Sequence, residues 1–319
     1  MKVLITGAAG FIGSQLLEAL AVQHPEWTLI ASDIRPLNPH ALRPNVEAAL
    51  LDIGKREAVL AAVAQHQPDA IVHLASVVTP PPGMGEDVLH TIDVEGTRSI
   101  LQAAVEHGVR QLIVTSSGAA YGYYPENAEW IDEHDPLRGH SKFAYAKHKR
   151  EVEEMLAQAR VKHPELRQLI LRPGTILGRH VNNQITDMFK KKAVMGISGS
   201  DSRFVFIWDQ DVVSIIIKGL EKGCSGIFNL AGDGALSLRE IAGVLQKPYR
   251  PVPAGLLQFA LRLLKPLGLT QYGPEQLDFL RYRPVLANRR LKEEFGYTPR
   301  YTSREAFIAF LDAQGVSHA

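Results

Sequence analysis

Tyr145 and Lys149 stand four residues apart in Tyr145–Ala146–Lys147–His148–Lys149, and a helix would put both on one face. A phenol has a reference pKa of about 10. A neighbouring ammonium favours the phenolate and brings such a tyrosine toward general acid–base work at neutral pH. Upstream, an apolar run ends in Thr115–Ser116–Ser117–Gly118–Ala119–Ala120–Tyr121–Gly122. There the Ser117 hydroxyl could bind a substrate oxygen while Tyr145 moves its proton.

A second set of residues is suited to holding a dinucleotide. Gly7, Gly10 and Gly13 follow the first apolar run, with Phe11 and Ile12 opening an amphipathic segment behind them. Glycines in such a strand–turn–helix unit let the backbone approach a diphosphate and leave free helix N–H groups aimed at it. Asp33 ends the next apolar run, where a carboxylate accepts both ribose hydroxyls of an adenosine and repels a 2′-phosphate, selecting NAD over NADP. Arg35 could instead hold a 2′-phosphate, and Asp33 could simply form a strand-end turn. Asp52, with Ile53, is placed to reach an adenine edge, although capping a helix near Lys55 explains it equally. Leu74, Ala75 and Ser76 follow His73 and are small enough, for the most part, to let a cofactor pass close to the backbone. Pro173, in Leu171–Arg172–Pro173–Gly174–Thr175, ends a further run at the same edge.

These residues need a scaffold. Extended patterns at 2–6, 28–32, 48–51, 70–73, 111–115 and 168–171 alternate with helical ones at 11–22, 56–65, 88–107 and 143–159. Alternation of this kind predicts an α/β fold with a doubly wound parallel sheet (Rossmann), the strand ends gathering the site at one edge. Beyond Pro173 the pattern loosens, with strands at 205–208 and 227–230 around a helix at 212–222. Proline-broken helical pieces follow at 254–264, 275–281, 291–295 and 304–312. We read residues 1–173, rejoined by 204–235, as an NAD-binding domain. Residues 174–203 and 236–319 form a smaller, mostly helical substrate lobe. Thr79 (beside Pro80, Pro81 and Pro82), Tyr123, Thr175, Asn183 and Trp208 should line its pocket, which is apolar enough for a hydrophobic substrate as well as a sugar. His140 and His180 flank the cleft and are expected to make surface hydrogen bonds. Asp209 and Asp211 are expected to form a turn and a cap before the 212–222 helix.

Composition narrows the function classes. The 319 residues carry 35 Lys and Arg against 34 Asp and Glu, so no footprint for nucleic acid or an anionic membrane is present. Cys224 is the single cysteine, which rules out an intrachain disulfide and fits a reducing compartment. No His and carboxylate cluster suggests a metal. The chain opens on a strand without a signal-peptide layout, and no apolar run reaches the roughly 20 residues of a spanning helix, so a soluble cytoplasmic protein is expected.

Taken together, these motifs resemble the extended short-chain dehydrogenase/reductase superfamily, in particular its NAD-dependent epimerase/dehydratase branch. Gly7, Gly10 and Gly13 match that family's phosphate turn, Asp33 its ribose acid, and Ser117, Tyr145 and Lys149 its catalytic trio. Arg172–Pro173 and the 206–212 segment also have counterparts. The resemblance implies that Tyr145 exchanges a proton with a substrate hydroxyl or carbonyl and Ser117 orients that oxygen. Lys149 binds the nicotinamide ribose and lowers the tyrosine pKa, and hydride passes between the substrate carbon and nicotinamide C4. Three departures stand out. Asp93, in Asp93–Val94–Glu95–Gly96–Thr97, replaces the usual asparagine of a proton relay. Gly118 and Ala119 follow Ser117 where dehydratases carry Asp–Glu, so a dehydratase is not expected. The diphosphate-gripping segment is loosely matched, with Arg203 near the usual arginine position.

The resulting expectation is NAD-dependent hydride transfer at a secondary alcohol or ketone, with a nucleotide sugar as substrate. An apolar, steroid-like or aromatic alcohol is the alternative, followed by a non-catalytic NAD-binding protein. Relatives pair through a four-helix bundle, so a homodimer is expected through the helices from Val88 to His107 and from Phe143 to Ala159.

Overall fold

A computed structural model describes residues 1–37, 42–81, 83–264 and 276–318. In chain order the first half runs β1 (Lys2–Thr6), α1 (Phe11–Gln23), β2 (Thr28–Asp33), β3 (Val46–Leu50), α2 (Arg56–His66), β4 (Ala70–His73), α3 (Glu86–His90), α4 (Gly96–Glu106), β5 (Gln111–Thr115), α5 (Ala144–Lys162) and β6 (Arg167–Pro173). After it come β7 (Thr175–Leu177), α6 (Gln184–Lys190), β8 (Val194–Ile197), β9 (Arg203–Phe204), β10 (Phe206–Trp208), α7 (Asp209–Lys222) and β11 (Gly226–Leu230). The remainder is β12 (Leu236–Ser237), α8 (Leu238–Val244), β13 (Tyr249–Val252), α9 (Ala254–Leu264), α10 (Gln276–Arg281), α11 (Arg289–Glu293) and α12 (Ser303–Ala313).

Seven strands form one parallel sheet in the order β11-β6-β5-β4-β1-β2-β3. Its strands read as near-continuous apolar runs because both faces are covered. Leu16, Leu20, Val212 and Ile216, from α1 and α7, pack on one face. Val59, Ile100, Val152 and Leu156, from α2, α4 and α5, pack on the other. The strand order reverses between β1 and β4, which opens a crevice at their C-terminal ends. The doubly wound fold is thus as expected.

Two details go beyond the sequence pattern. The helix expected over 88–107 is interrupted by a π-helical turn, Thr91–Glu95, which directs Asp93 and Val94 into the interior. Such turns are frequent at functional sites. The C-terminal helical region is present as expected, and short strand pairs accompany it, β7 with β10, β9 with β12, and β8 with β13. These strands are short, and Gly196 and Pro251 interrupt the pattern by which they could be recognised. Phe189, Phe204, Phe206 and Phe307 stack into the lobe's core. The helix expected from Glu275 begins outside the described residues, and Pro82 also lies outside them.

Candidate active site

The crevice is assembled first by close backbone contact. Gly7 has φ +72°, and a Cβ there would lie 2.7 Å from the Ala75 amide nitrogen, so the turn after β1 rests directly on the turn after β4. A Cβ on Gly13 would run into the Gly7 carbonyl oxygen. Gly10 differs: a Cβ would meet nothing but the Gly7 carbonyl, so its outer side is open. Gly10 is the N-cap of α1, no side chain caps the helix, and the first-turn amides are available to an anion. The Phe11 and Ile12 side chains pack into the lobe and sheet cores, leaving their backbone to the crevice.

Beneath this turn a buried hydrogen-bond chain ties β1, β4 and α4 together. Thr97 Oγ1 donates to the Asp93 carbonyl at 2.6 Å, so it accepts from His73 Nε2 at 3.0 Å. His73 Nδ1 therefore accepts from Thr6 Oγ1 at 2.7 Å, and the Thr6 oxygen lies 3.4 Å from the Ala75 N–H. This assigns a neutral imidazole. Burial, followed by the Lys149 charge, holds its pKa down to about 3.

Asp33 ends β2 beside the glycine turn. Its Oδ2 accepts from the Ala9 amide at 3.0 Å and its Oδ1 from the Arg35 amide at 3.0 Å, with Arg35 Nε at 3.4 Å. The carboxylate thus forms a turn, and a carboxylate's four acceptor positions leave room for one further donor. Asp52 makes an Asx turn onto the Gly54 amide, and Lys55, not Asp52, is the N-cap of α2. Ile53 packs under Gly96, Ser76 donates to Asp93, and Pro173 is buried beside Leu230. Leu74 and Ala75 border the glycine turn.

Tyr145 and Lys149 occupy successive turns at the start of α5, with the Lys149 ammonium 5.5 Å from the phenol ring centre. Ser117 caps the short 3₁₀ turn Gly118–Tyr121 by accepting from the Ala119 amide at 3.1 Å, which leaves its O–H free to donate. Burial pushes the Tyr145 phenol up to about 12, and the Ser117 hydroxyl partly counteracts that rise. Loss of hydration is the largest influence on the phenol. Lys149 is itself lowered by burial, with Asp93 and Glu153 opposing. Its Nζ donates to the Thr115 carbonyl at 3.1 Å, leaving two N–H donors for ribose hydroxyls.

Buried charges brace this trio from behind. Asp93 Oδ1 accepts from Ser76 Oγ and the Val77 amide, and Oδ2 lies 3.5 Å from His148 Nδ1, one residue from Lys149. Although burial opposes ionisation, His148, Lys149 and these donors hold the Asp93 carboxyl below its ordinary range. Deeper still, Arg172 grips Glu153 through Nε and Nη2, at 2.9 Å to Oε1 and 2.6 Å to Oε2, and Ser116 donates to the same carboxylate.

On the substrate side the structure presents a residue that the sequence pattern did not single out. The Arg283 guanidinium lies between the rings of Phe204 and Phe279, 4.0 and 4.4 Å from their centres, and donates to Thr175 Oγ1 at 3.3 Å. Its Nη1 is buried without a partner, no ion pair joins it to a described carboxylate, and burial lowers it to about 10. Tyr123 stacks edge-on to Phe279 beside it, its phenol raised to about 12 by burial. Arg203, by contrast, is paired with Asp201 and Glu129. Asn183 caps α6 through its side-chain oxygen, Trp208 packs edge-on to Tyr301, and Thr79 is exposed. His140 is buried against Tyr124 and not at the surface, whereas His180 is exposed. Asp209 and Asp211 lie inside the first turn of α7.

The model of the NAD dependent epimerase/dehydratase family matches residues 3–231. The chain belongs to this family. NAD is its cofactor, and the glycine cradle, Asp33 and the two free Lys149 donors fit it. A UDP-glucose 4-epimerase from Thermotoga maritima, solved with UDP-glucose, superposes with a TM-score of 0.76 at 19% identity, covering 99% of both chains. One from Thermus thermophilus, solved with NAD, gives 0.73 at 22%, covering 98% of both. In sequence the chain is 28% identical to the N-acetyl-alpha-D-glucosaminyl-diphospho-ditrans,octacis-undecaprenol 4-epimerase of Escherichia coli O157:H7, over 82% of this chain and 77% of that protein. It is 26% identical to an uncharacterized protein of Mycobacterium bovis, over 99% and 84%. No helix among the described residues is long and apolar enough to cross a membrane.

Proposed function

We propose that this family member transfers hydride between NAD and a secondary alcohol or ketone of a diphosphate-linked sugar, a nucleotide sugar foremost. The observation that carries the substrate class is Arg283, a half-buried cation with a buried, unpartnered Nη1 and no described ion-pair partner, beside Tyr123 and Thr175. Such a group is costly unless an anion completes it, and a diphosphate supplies two. An apolar alcohol offers nothing to it.

NAD, when bound, would supply the hydride acceptor. Tyr145 Oη takes the substrate hydroxyl proton as the carbon gives up hydride, and returns it in the reverse sense. Burial favours the protonated phenol, the form that donates to a carbonyl oxygen in the reductive sense, and accepting the hydroxyl proton requires the phenolate, which the Lys149 ammonium 5.5 Å from the ring favours. Ser117 donates to the reacting oxygen, and Lys149 holds the ribose with the donors that Thr115 leaves free. Gly118 and Ala119 carry no carboxylate to serve as an eliminating acid, which favours epimerisation or net oxidation over dehydration. The α4 and α5 pair is the proposed dimer face.

The test is to incubate the enzyme with NAD and a panel of nucleotide sugars, polyprenyl-diphosphate sugars and apolar alcohols. NADH absorbance and product stereochemistry are followed together. A stereoisomer without free NADH marks an epimerase, and accumulating NADH marks a dehydrogenase. Tyr145→Phe should abolish either while NAD affinity stays within a few-fold, and retained turnover would refute the mechanism.

A further inference from the structure

Helix α9 turns an apolar stripe outward. Leu256, Phe259 and Leu263 are 60%, 62% and 53% exposed and follow one another at three- and four-residue spacing, so they share one face. Exposed leucines scattered singly are ordinary, but a contiguous stripe marks a binding surface. No described residue covers it. The sequence of α9, AGLLQFALRLL, contains no acid, and its single charge is the exposed Arg262 in the last turn; the exposed Arg250 of β13 lies just before it. Its inner side packs on α10, whose Phe279 forms one wall of the Arg283 cradle. The stripe is therefore mechanically continuous with the proposed anion site.

We propose that α9 docks this protein on an anionic bilayer, with Leu256, Phe259 and Leu263 entering the headgroup–acyl boundary and Arg250 and Arg262 meeting lipid phosphates. Interfacial helices of this kind sink an apolar face roughly 5–10 Å into that boundary and gain from anionic lipid. At 11 residues, α9 is about 16 Å long, enough to lie flat there and far too short to span. The near-zero net charge conceals the surface because it averages over the whole molecule, whereas lipid senses charge within a Debye length. The docking itself does not depend on the diphosphate-sugar reading.

The full chain is sedimented with phosphatidylcholine vesicles, with and without phosphatidylglycerol, in the absence of any sugar. Wild type should pellet with the anionic vesicles and be released by salt. Leu256→Gln, Phe259→Gln and Leu263→Gln together should weaken partitioning at least about tenfold, and unchanged NAD binding shows that the fold survives because all three side chains are exposed. Wild type remaining in solution with both vesicles, or the triple variant pelleting equally, overturns the proposal. So does equilibrium sedimentation in which wild type self-associates and the triple variant does not, since a second copy would then cover the stripe. None of these outcomes bears on the substrate screen, so the two readings fail separately.

Discussion

Acidification should unfasten the crevice at His73. The imidazole is 2% exposed, and both ring nitrogens are already engaged, Nδ1 as acceptor from Thr6 and Nε2 as donor to Thr97. A second proton on Nδ1 would force the Thr6 hydroxyl to reverse, at the contact with the Ala75 amide that seats the glycine turn. Burial and the Lys149 charge move its pKa from 6.5 to about 3. A folded-state pKa below the unfolded one means that the unfolded chain binds the proton more tightly. The stabilisation is thus complete above the unfolded value and is lost as pH falls toward the folded one. At about 1.36 kcal/mol per tenfold change, the loss is roughly 2 kcal/mol by about pH 5 and roughly 5 kcal/mol by about pH 3. Urea unfolding from neutral pH down to about pH 5 measures it, with His73→Asn as the comparison because the amide cannot take the proton. The variant should be less stable at neutral pH yet show a shallower pH slope, by roughly those 2 kcal/mol over the interval, and NAD affinity should fall with pH in wild type more steeply than in the variant. Parallel slopes for the two proteins would mean that His73 is not the group being titrated, and the argument from its burial would fail.

Two further outcomes test the ends of the ligand groove. Asp33→Ala should weaken NAD binding roughly tenfold to a hundredfold, the scale of one or two charge-assisted hydrogen bonds, and NADP binding less. Equal losses by calorimetry would leave Asp33 only its turn contacts with Ala9 and Arg35. Arg283→Gln should raise KM for a diphosphate-linked sugar roughly tenfold to a hundredfold with kcat within a few-fold, and leave a substrate without the diphosphate unaffected. An unchanged KM in steady-state kinetics would remove the anion site.

Local chemistry was legible in the residue order. The glycine turn, the alternation of buried strands and helices, and the shared face of Tyr145 and Lys149 depend on neighbours within one or two turns, where backbone sterics and helical period decide the outcome. Boundaries there moved by only a few residues, as in β6 and α5. The π-helical turn at Thr91–Glu95 was not legible, because its cause is not local: Asp93 must reach Ser76 and Val77 on the β4 turn and His148 on α5. That Asn183 caps α6 through the Ile185 and Thr186 amides was likewise not part of the expectation for it.

By itself, then, the sequence determined a doubly wound fold, a dinucleotide turn and a Ser117, Tyr145, Lys149 set, all properties of short segments. Tertiary structure alone decided which charges are paired and which protons are held. Arg203 meets two carboxylates while Arg283, from a distant segment, lies between two phenylalanines against Thr175. The Tyr145 phenol is pushed up because the folded pocket strips away its water. Hydration and charge pairing depend on whatever the chain brings close in space, and residue spacing carries no record of that.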